Sequence, residues 1–477
     1  MATALPSFSL PMPEVHPLPL IRPALEPGFV PAALWNRAYR KMAAADPQSR
    51  PLVLALVRAD GGTSRFATRV LGANHAAASL SLRYVERLLK FLLWQRGGCR
   101  VLVSGAPELA ASLAQVYAPA GARAFDHEFM GERVYGQPFA IEAVAETALP
   151  PETETGLPVG RHLDGCRIGF DIGGSDRKVA AVVDGKVVFS EEVTWDPYFQ
   201  KDPSYHIEGV HDSLRRAAAH LPRVDAIGGS AAGVYVNNEV RVGSLFRGVP
   251  PELFSRHIRR MFFALQERWG GVPFEVANDG EVTALAGSMS LGANAVLGVS
   301  MGTSMAGGYV RPTGDITPWL NELAFAPVDY NPSAPADEWS GDAGCGVQYF
   351  SQQGVARFAS RAGFVFAEGT PLPERLVAVQ EAMAAGDSRA RAVYATVGAC
   401  FGYALGHYAD FYDLRHLLLL GRVTSGVGGT LIIDHAKAVL RSEFPAIAAR
   451  LQLHIPDEKD KRHGQAIAAA SLPALKR

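Results

Sequence analysis

Only four cysteines occur in the 477 residues, Cys99, Cys166, Cys345 and Cys400, and no two form a C-x-x-C pair. That excludes a disulfide framework and a paired-thiolate zinc site, and it predicts reduced thiols in a cytoplasmic protein. An excess of one charge is also missing. The 46 Lys and Arg against 47 Asp and Glu leave a net charge of −1, so neither nucleic acid nor an anionic membrane is an expected partner. No run reaches the roughly 20 apolar residues of a membrane span. The candidate "LLKFLLWQ" is short, contains Lys90 and is flanked by Arg87 and Arg96. The N-terminus lacks the basic start and apolar core of a signal peptide, and seven prolines in its first 27 residues oppose a helix. Two nucleotide signatures are absent as well: no G-x-x-x-x-G-K-[ST] and no G-x-G-x-x-G occurs.

What is present is apolar and rich in glycine, with 48% hydrophobic residues and 48 glycines that gather where strands are expected to end. At roughly 150 residues per domain, the length predicts about three domains or subdomains. After the Pro-rich lead, a short helix is expected over residues 31–45. "PLVLALVRADGGTSRFATRVL" predicts two strands and a Gly-Gly turn. A helix over 76–96 keeps Leu82, Val85, Leu88, Leu89 and Leu92 at helical spacing. "CRVLVSG" reads as a buried strand and "PELAASLAQVYA" as a helix opened by proline. Residues 1–160 are therefore expected to form an α/β unit of their own, with "ALPPETETGLPVG" as linker. The order strand, turn, strand, helix, strand echoes the unit that follows. A half-copy of it, an added lid and a dimerisation module are three readings.

From Cys166, "CRIGFDIGG" and "KVAAVVDGKVVFSEEV" predict three strands, the last two joined at Asp184-Gly185. A helix follows with Ile207, Val210, Leu214, Ala217 and Leu221 on one face. Then come the strand of "VDAIGGSAAG", a helix over 251–269, and strand, turn and helix in "FEVANDGEVTALAG". "AVLGVSMGTSMAGGYV" reads as a hairpin. The tail carries a helix over 389–412, the strand "HLLLLG", a helix from about Leu431 and the closing helix "HGQAIAAASL"; "DEKDKRH", 457–463, reads as a solvated loop. Strands alternate with helices, the pattern of an open α/β sheet with its ligand at the strand ends.

"FDIGGSDRK", residues 170–178, sets a carboxylate beside bare backbone. Glycine lets a backbone approach a ligand, and a turn of free N–H groups cradles phosphate. An acid there is consistent with a divalent cation between it and the phosphates. On this reading Asp171 holds Mg²⁺, Gly173, Gly174 and Ser175 cradle phosphate, and Lys178 adds charge; the alternative is a tight hairpin with Asp171 as strand cap. "SMGTSMAGG", with Gly302, Thr303 and Ser304, repeats the device. Between them, "VANDGEV" places Asp279 after a strand and before a helix, as a proton acceptor for an attacking hydroxyl or as an ordinary N-cap. Ser230 and Gly233 in "GGSAAG" line a ligand pocket or form a plain turn.

These segments, in this order from Cys166 to Leu472, resemble the ROK (repressor, open reading frame, kinase) sugar kinases of the actin/hexokinase superfamily. "DIGGSDRK" and "GVSMGTSMAGG" are similar to the family's two phosphate motifs, and "VANDGEVTALAG" to its Asn-Asp segment. "LLLLGRVTSGVGG" is similar to its adenosine segment and "HGQAIAAAS" to its closing helix. The resemblance implies two RNase H-like lobes, 165–296 and 297–477, with the last helix packing back on the first, behind the N-terminal α/β extension. It implies ATP and Mg²⁺ as cofactors, Asp279 as general base, Asn278 and Glu322 as sugar contacts, and Gly421 and Arg422 at the adenosine. Gln348 stands near the place of the family's sugar-binding glutamate. Where the family often has Glu-x-Gly-His and a cysteine-rich zinc loop, "NELAFAPVD" has Phe325 and "GDAGCGVQYFS" has only Cys345, so no zinc is expected. Some relatives begin with a DNA-binding winged helix; residues 1–150, with 15 basic against 11 acidic side chains, do not read as one. The expectation is ATP- and Mg²⁺-dependent phosphorylation of a sugar or polyol hydroxyl, with homo-oligomerisation left open. The alternatives are a catalytically silent sugar sensor or scaffold and, third, an actin- or chaperone-like ATPase.

Overall fold

The computed structural model describes residues 18–153, 159–456 and 458–475. Most of the Pro-rich lead, part of the linker and Asp457 lie outside them. The N-terminal module runs α1 (Ala32–Ala45), β1 (Arg50–Val57), β2 (Thr63–Val70), α2 (Leu80–Arg96), β3 (Arg100–Ser104), α3 (Pro107–Val116), α4 (Ala124–Glu128) and β4 (Ala140–Ala143). Its sheet has the order β2-β1-β3-β4. β1 is antiparallel to both neighbours and β3 is parallel to β4.

The first lobe follows with β5 (Cys166–Ile172), β6 (Asp176–Val183), β7 (Lys186–Thr194), α5 (Pro203–Ala218), β8 (Ala226–Ala231), β9 (Val234–Val236), β10 (Glu239–Val242), α6 (Pro251–Leu253), α7 (Met261–Arg268) and β11 (Phe274–Asn278). The sheet order is β11-β8-β5-β6-β7. β5, β8 and β11 run parallel, and β6 and β7 extend the sheet as antiparallel hairpins. This strand plan corrects the half-copy reading of the module. In the lobe the crossover strand β8 lies parallel to β5, whereas in the module β3 lies antiparallel to β1. The single helix expected over 251–269 is interrupted by a π-helical turn, Phe254–Ile258. There Arg259 N–H reaches back to Phe254 O (2.9 Å), and Arg259 O is freed to accept from Val240 N–H (3.0 Å).

The remainder is α8 (Asp279–Leu291), β12 (Val296–Met301), β13 (Met305–Val310), α9 (Gln352–Arg361), α10 (Leu372–Ala384), α11 (Ser388–Tyr408), β14 (His416–Leu420), α12 (Val427–Glu443), α13 (Pro445–Ala448), β15 (Gln452–His454) and α14 (Glu458–Ala470). The second sheet is β13-β12-β14-β15. α14 begins within the segment expected to be a solvated loop and packs back on β5, β8 and β6 of the first lobe. Its small residues permit this: a Cβ at Gly169 or Gly228 would collide with the carbonyls of Ala466 or Ala469. α8 leaves the first sheet but packs on β12 and β13. A Cβ at Gly280 would strike the Gly307 carbonyl, and one at Gly308 would strike that of Gly280. Bare backbone on both sides brings the start of α8 onto the second lobe's hairpin.

The module is not a unit of its own. Trp35, Tyr39, Leu89, Phe91 and Trp94 share one continuous apolar core with Leu323, Tyr330, Phe358, Tyr394 and Tyr408. α2 is buried along almost its whole length, including Lys90, which has no solvent exposure. Lys90 Nζ lies 2.9 Å from Asp126 and 3.3 Å from Asp342, and Trp94 Nε1 donates to Asp126 at 2.6 Å. Arg87 and Arg123 each bridge Asp342 and Glu86. Three bases and three acids thus neutralise one another where the module meets the second lobe.

Two outcomes follow from this packing. Lys90→Met leaves Asp126 buried with only Trp94 as partner, and denaturant titration should show a loss of about 3–5 kcal/mol. Gly280→Ala, which in an open helix would gain up to about 1 kcal/mol, should instead lower Tm by several degrees. Gly464→Ala, whose Cβ would meet nothing closer than Ala286 Cβ at 3.8 Å, should not.

Candidate active site

β5 ends at Ile172 and β6 resumes at Asp176, so Gly173, Gly174 and Ser175 form the first turn. Asp171 is 7% exposed. Its Oδ1 accepts from Gln465 Nε2 (3.3 Å), which also donates to Ser230 Oγ (3.1 Å). Lys178 Nζ stands 3.1 Å from Asp176 Oδ1 and 3.9 Å from Asp171 Oδ2. Burial works against the lysine's charge, but these two acids outweigh it and hold its pKa above the ordinary value. Burial pushes the Asp171 carboxyl up to about 6; the Ser230 hydroxyl opposes the rise and the charge of Asp279 adds to it. Ser230 reads from the sequence as lining a pocket or as part of a plain turn. It is instead fully buried in β8, in register with Asp171, where it braces that carboxylate.

The second turn, Gly302, Thr303 and Ser304, closes the β12–β13 hairpin, with Gly302 N–H donating to Ser304 O at 2.9 Å. At Gly173 and Gly302 the nearest atom to an added Cβ would be 3.6 and 3.7 Å away. Packing therefore does not require glycine at either place; the bare backbone borders open space, as a ligand's close approach would need. Gly174 differs, because Tyr198 Oη occupies the place of its side chain. Gly421 has φ +98°, and a Cβ there would collide with Met301 O, which clasps this turn to the end of β12. Gly421 and the exposed Arg422 line a pocket of about 320 Å³ with Thr283, Gly287, Ser300 and Gln465. Through Gln465 this pocket adjoins Asp171.

Asp279 is the first residue of α8 and is partly exposed. Burial raises its pKa, and the backbone N–H groups at the helix start oppose the rise. Asn278 is the helix cap: Oδ1 accepts from Gly280 N–H (2.7 Å) and Nδ2 donates to Gly233 O (2.6 Å). Both ends of the expected sugar contact are thus engaged within the protein, and they fix Gly233 beside it. Glu322, with no side-chain hydrogen bond among the described residues, is pushed up to about 8 by burial and by Asp279. Glu281, missed in the sequence, is pushed to about 8 by burial, although Tyr309 N–H (3.2 Å) and Asn321 Nδ2 donate to it. It occupies the N3 position of a capping box, but its side chain turns inward to β13 instead of back to the cap. Near neutrality Glu281 and Glu322 hold protons, which relieves the repulsion around Asp279. Gln348 is buried away from these acids' hydrogen bonds, its Nε2 donating to Gln353 at 2.9 Å.

Among the described residues, no three His, Cys, Asp or Glu side chains group to hold a metal. A cation at the first turn would rest on Asp171, phosphate oxygens and water, a set that suits Mg²⁺. The surroundings of Cys345 do not suit zinc. Its sulfur faces Asp342, whose carboxylate is taken by Arg87, Lys90 and Arg123.

No family model and no curated protein matches the chain. Among solved structures, a ROK hexokinase from Thermus thermophilus superposes with a TM-score of 0.50 at 18% identity, over 64% of this chain and 97% of its own. A ROK glucokinase from Streptomyces griseus, in complex with glucose and AMPPNP, gives 0.47 at 20% identity, over 65% and 99%. A ROK transcriptional regulator, a homologue of the E. coli MLC protein, gives 0.49 at 18%, over 65% and 79%. The superposition on the Thermus thermophilus hexokinase shows that the chain has the two-lobed ROK-family fold, with an additional N-terminal α/β region.

A cation held by Asp171 would need that carboxyl ionised, so protons would compete with it below about pH 6. Calorimetric Mg²⁺-nucleotide affinity should fall roughly tenfold per pH unit below that point. Ser230→Ala should move the onset to higher pH.

Proposed function

We propose that the protein transfers the γ-phosphoryl group of ATP to a hydroxyl of a sugar or polyol, in the cytoplasm. The observation that supports this best is the placing of Asp279. The close Gly280–Gly307 packing holds it against the second hairpin, and its charge is felt by Asp171 beside the first turn. The two bare turns, Gly173 to Ser175 and Gly302 to Ser304, would cradle the phosphates. Gly421 and Arg422 would flank the adenosine, and Asp171 would hold Mg²⁺. That ion, when bound, would neutralise phosphate charge.

The acceptor hydroxyl oxygen forms a bond to the γ-phosphorus as the bridging P–O bond to ADP breaks, and the hydroxyl proton passes to Asp279. Glu322, protonated near neutrality, can donate a hydrogen bond to the acceptor. Asn278 acts at one remove, fixing the start of α8 and the Gly233 turn. Lys178 offsets the charge of Asp171 and of the phosphates.

Asp279→Asn should bind nucleotide as the parent does and lose about 10²–10⁴-fold in transfer rate, measured as ADP release with the best acceptor from a panel of sugars, polyols and amino sugars. An unchanged rate would remove Asp279 as base. Tight sugar binding with no turnover across the panel would favour the silent sensor, a reading that Phe325, in place of the family's histidine, also favours.

A further inference from the structure

A cavity of about 280 Å³ lies beside the candidate active site, walled by all three units of the chain. The first lobe supplies Gly233, the β9–β10 hairpin and the edge of β11 through Asn278. The second lobe supplies residues 316–320, and the module supplies Arg58. Arg58 is 3% exposed. Its Nη1 donates to Ser64 Oγ at 3.2 Å, and its Nε stands 3.9 Å from Asp60 Oδ1, beyond hydrogen-bond reach. Nε and Nη2 have no hydrogen-bond partner among the described residues. Two open donors on a buried guanidinium are costly unless something accepts from them.

The lining selects the kind of acceptor. Asp60, Glu275 and Glu281 also face this cavity, as does Arg311. Glu281 is protonated near neutrality, and Asp60 and Glu275 offset the two arginines, so the lining carries no excess of positive charge that would select an anion. Donors and acceptors on facing walls instead match hydroxyl groups, which need both. Asp279 and Glu322 do not line the cavity, but Asn278, next to Asp279, does. Tyr235, which also lines it, feels the charge of Asp279. A hydroxyl at Asp279 and a group bonded to Arg58 would therefore have to come from different parts of one extended ligand.

We propose that this cavity is a second acceptor subsite, in which Arg58 of the N-terminal module binds a polyhydroxylated unit beyond the one phosphorylated, so that the substrate is a two-unit sugar. This rests on the phosphotransfer reading for the chemistry at Asp279, but not for the binding at Arg58.

The test compares disaccharides (maltose, cellobiose, lactose, trehalose) with glucose and galactose, by ADP release and by calorimetry without nucleotide. The best disaccharide should exceed its constituent monosaccharides at least tenfold in kcat/KM. Arg58→Met should weaken its binding by about 10- to 100-fold, the worth of one or two charge-assisted hydrogen bonds. Arg58→Lys, which keeps the charge and loses the fork, should fall between, with thermal melts confirming that both variants fold. A monosaccharide turned over as well as any disaccharide would overturn the subsite and leave the kinase reading standing. Disaccharide binding that depends on Arg58, with no phosphorylation, would support the subsite and overturn the kinase reading. If no disaccharide binds the parent protein, the subsite falls.

Discussion

The buried meeting of Lys90, Arg87 and Arg123 with Asp126, Asp342 and Glu86 is the constraint on which the rest of the molecule depends. Six charges out of water would be prohibitive singly; together they are tolerable because each has a partner. The network contributes less to net stability than to selectivity, since a misplaced module would leave ions buried and unpaired. Around it the apolar core continues without a break from module to second lobe. Trp94 stacks on Phe325 with ring centroids 4.3 Å apart, and Tyr330 N–H pairs with Val30 O at 2.8 Å. The two departures from the resembled family now share one physical reason. Phe325 stands in place of a histidine because Trp94 packs on it, and the segment around Cys345 needs no thiolates because arginine and lysine side chains of the module tie down Asp342.

The site depends on a second constraint, the near contact of backbones. Gly280 against Gly307 and Gly308, Gly421 against Met301, and Gly169 and Gly228 against α14 each replace side-chain packing with main chain lying on main chain. These contacts fix the start of α8 between two sheets. Asp279 therefore sits at a helix N-terminus, where backbone N–H groups favour its charge, while burial disfavours it. The result is an acid that neither dipole nor desolvation controls alone.

Much of this is legible in the sequence because strand ends and glycines mark each other. "FDIGGSDRK", "VANDGEV" and "SMGTSMAGG" locate the turns and the acid without knowledge of how they meet. Period-two and period-3.6 patterns also find β1, β2, α2 and the β5–β7 meander. What stayed hidden depends on partners distant in the chain. Ser230 looks like a turn residue until Gln465, some 235 positions on, is seen to bridge it to Asp171. Glu281 reads as a capping-box acid until β13 is placed beside it. Lys90 and Arg87 read as charges within and beside a short apolar run, and it takes Asp126 and the second lobe's Asp342 to make their burial possible. α9 and α10 carry no motif that marks them. The π-helical turn at Phe254–Ile258 answers a demand from β10 that local periodicity cannot express.

The two constraints together say what a lobe movement would do. The module is welded to the second lobe by a common core, whereas it meets the first lobe through the segment Phe129–Tyr135 against β9 and β10. Any rotation of one lobe on the other must therefore carry the module with the second lobe and slide it over the β9–β10 hairpin. The cavity at Arg58 has walls on both sides of that sliding surface, and Asn278 is fixed to the first-lobe side by its bond to Gly233. Closure that brings the two glycine turns together would thus also change the distance between Arg58 and the start of α8. An acceptor bridging those points would favour one separation over others, and its length would then be coupled to the closure that excludes water from the phosphates.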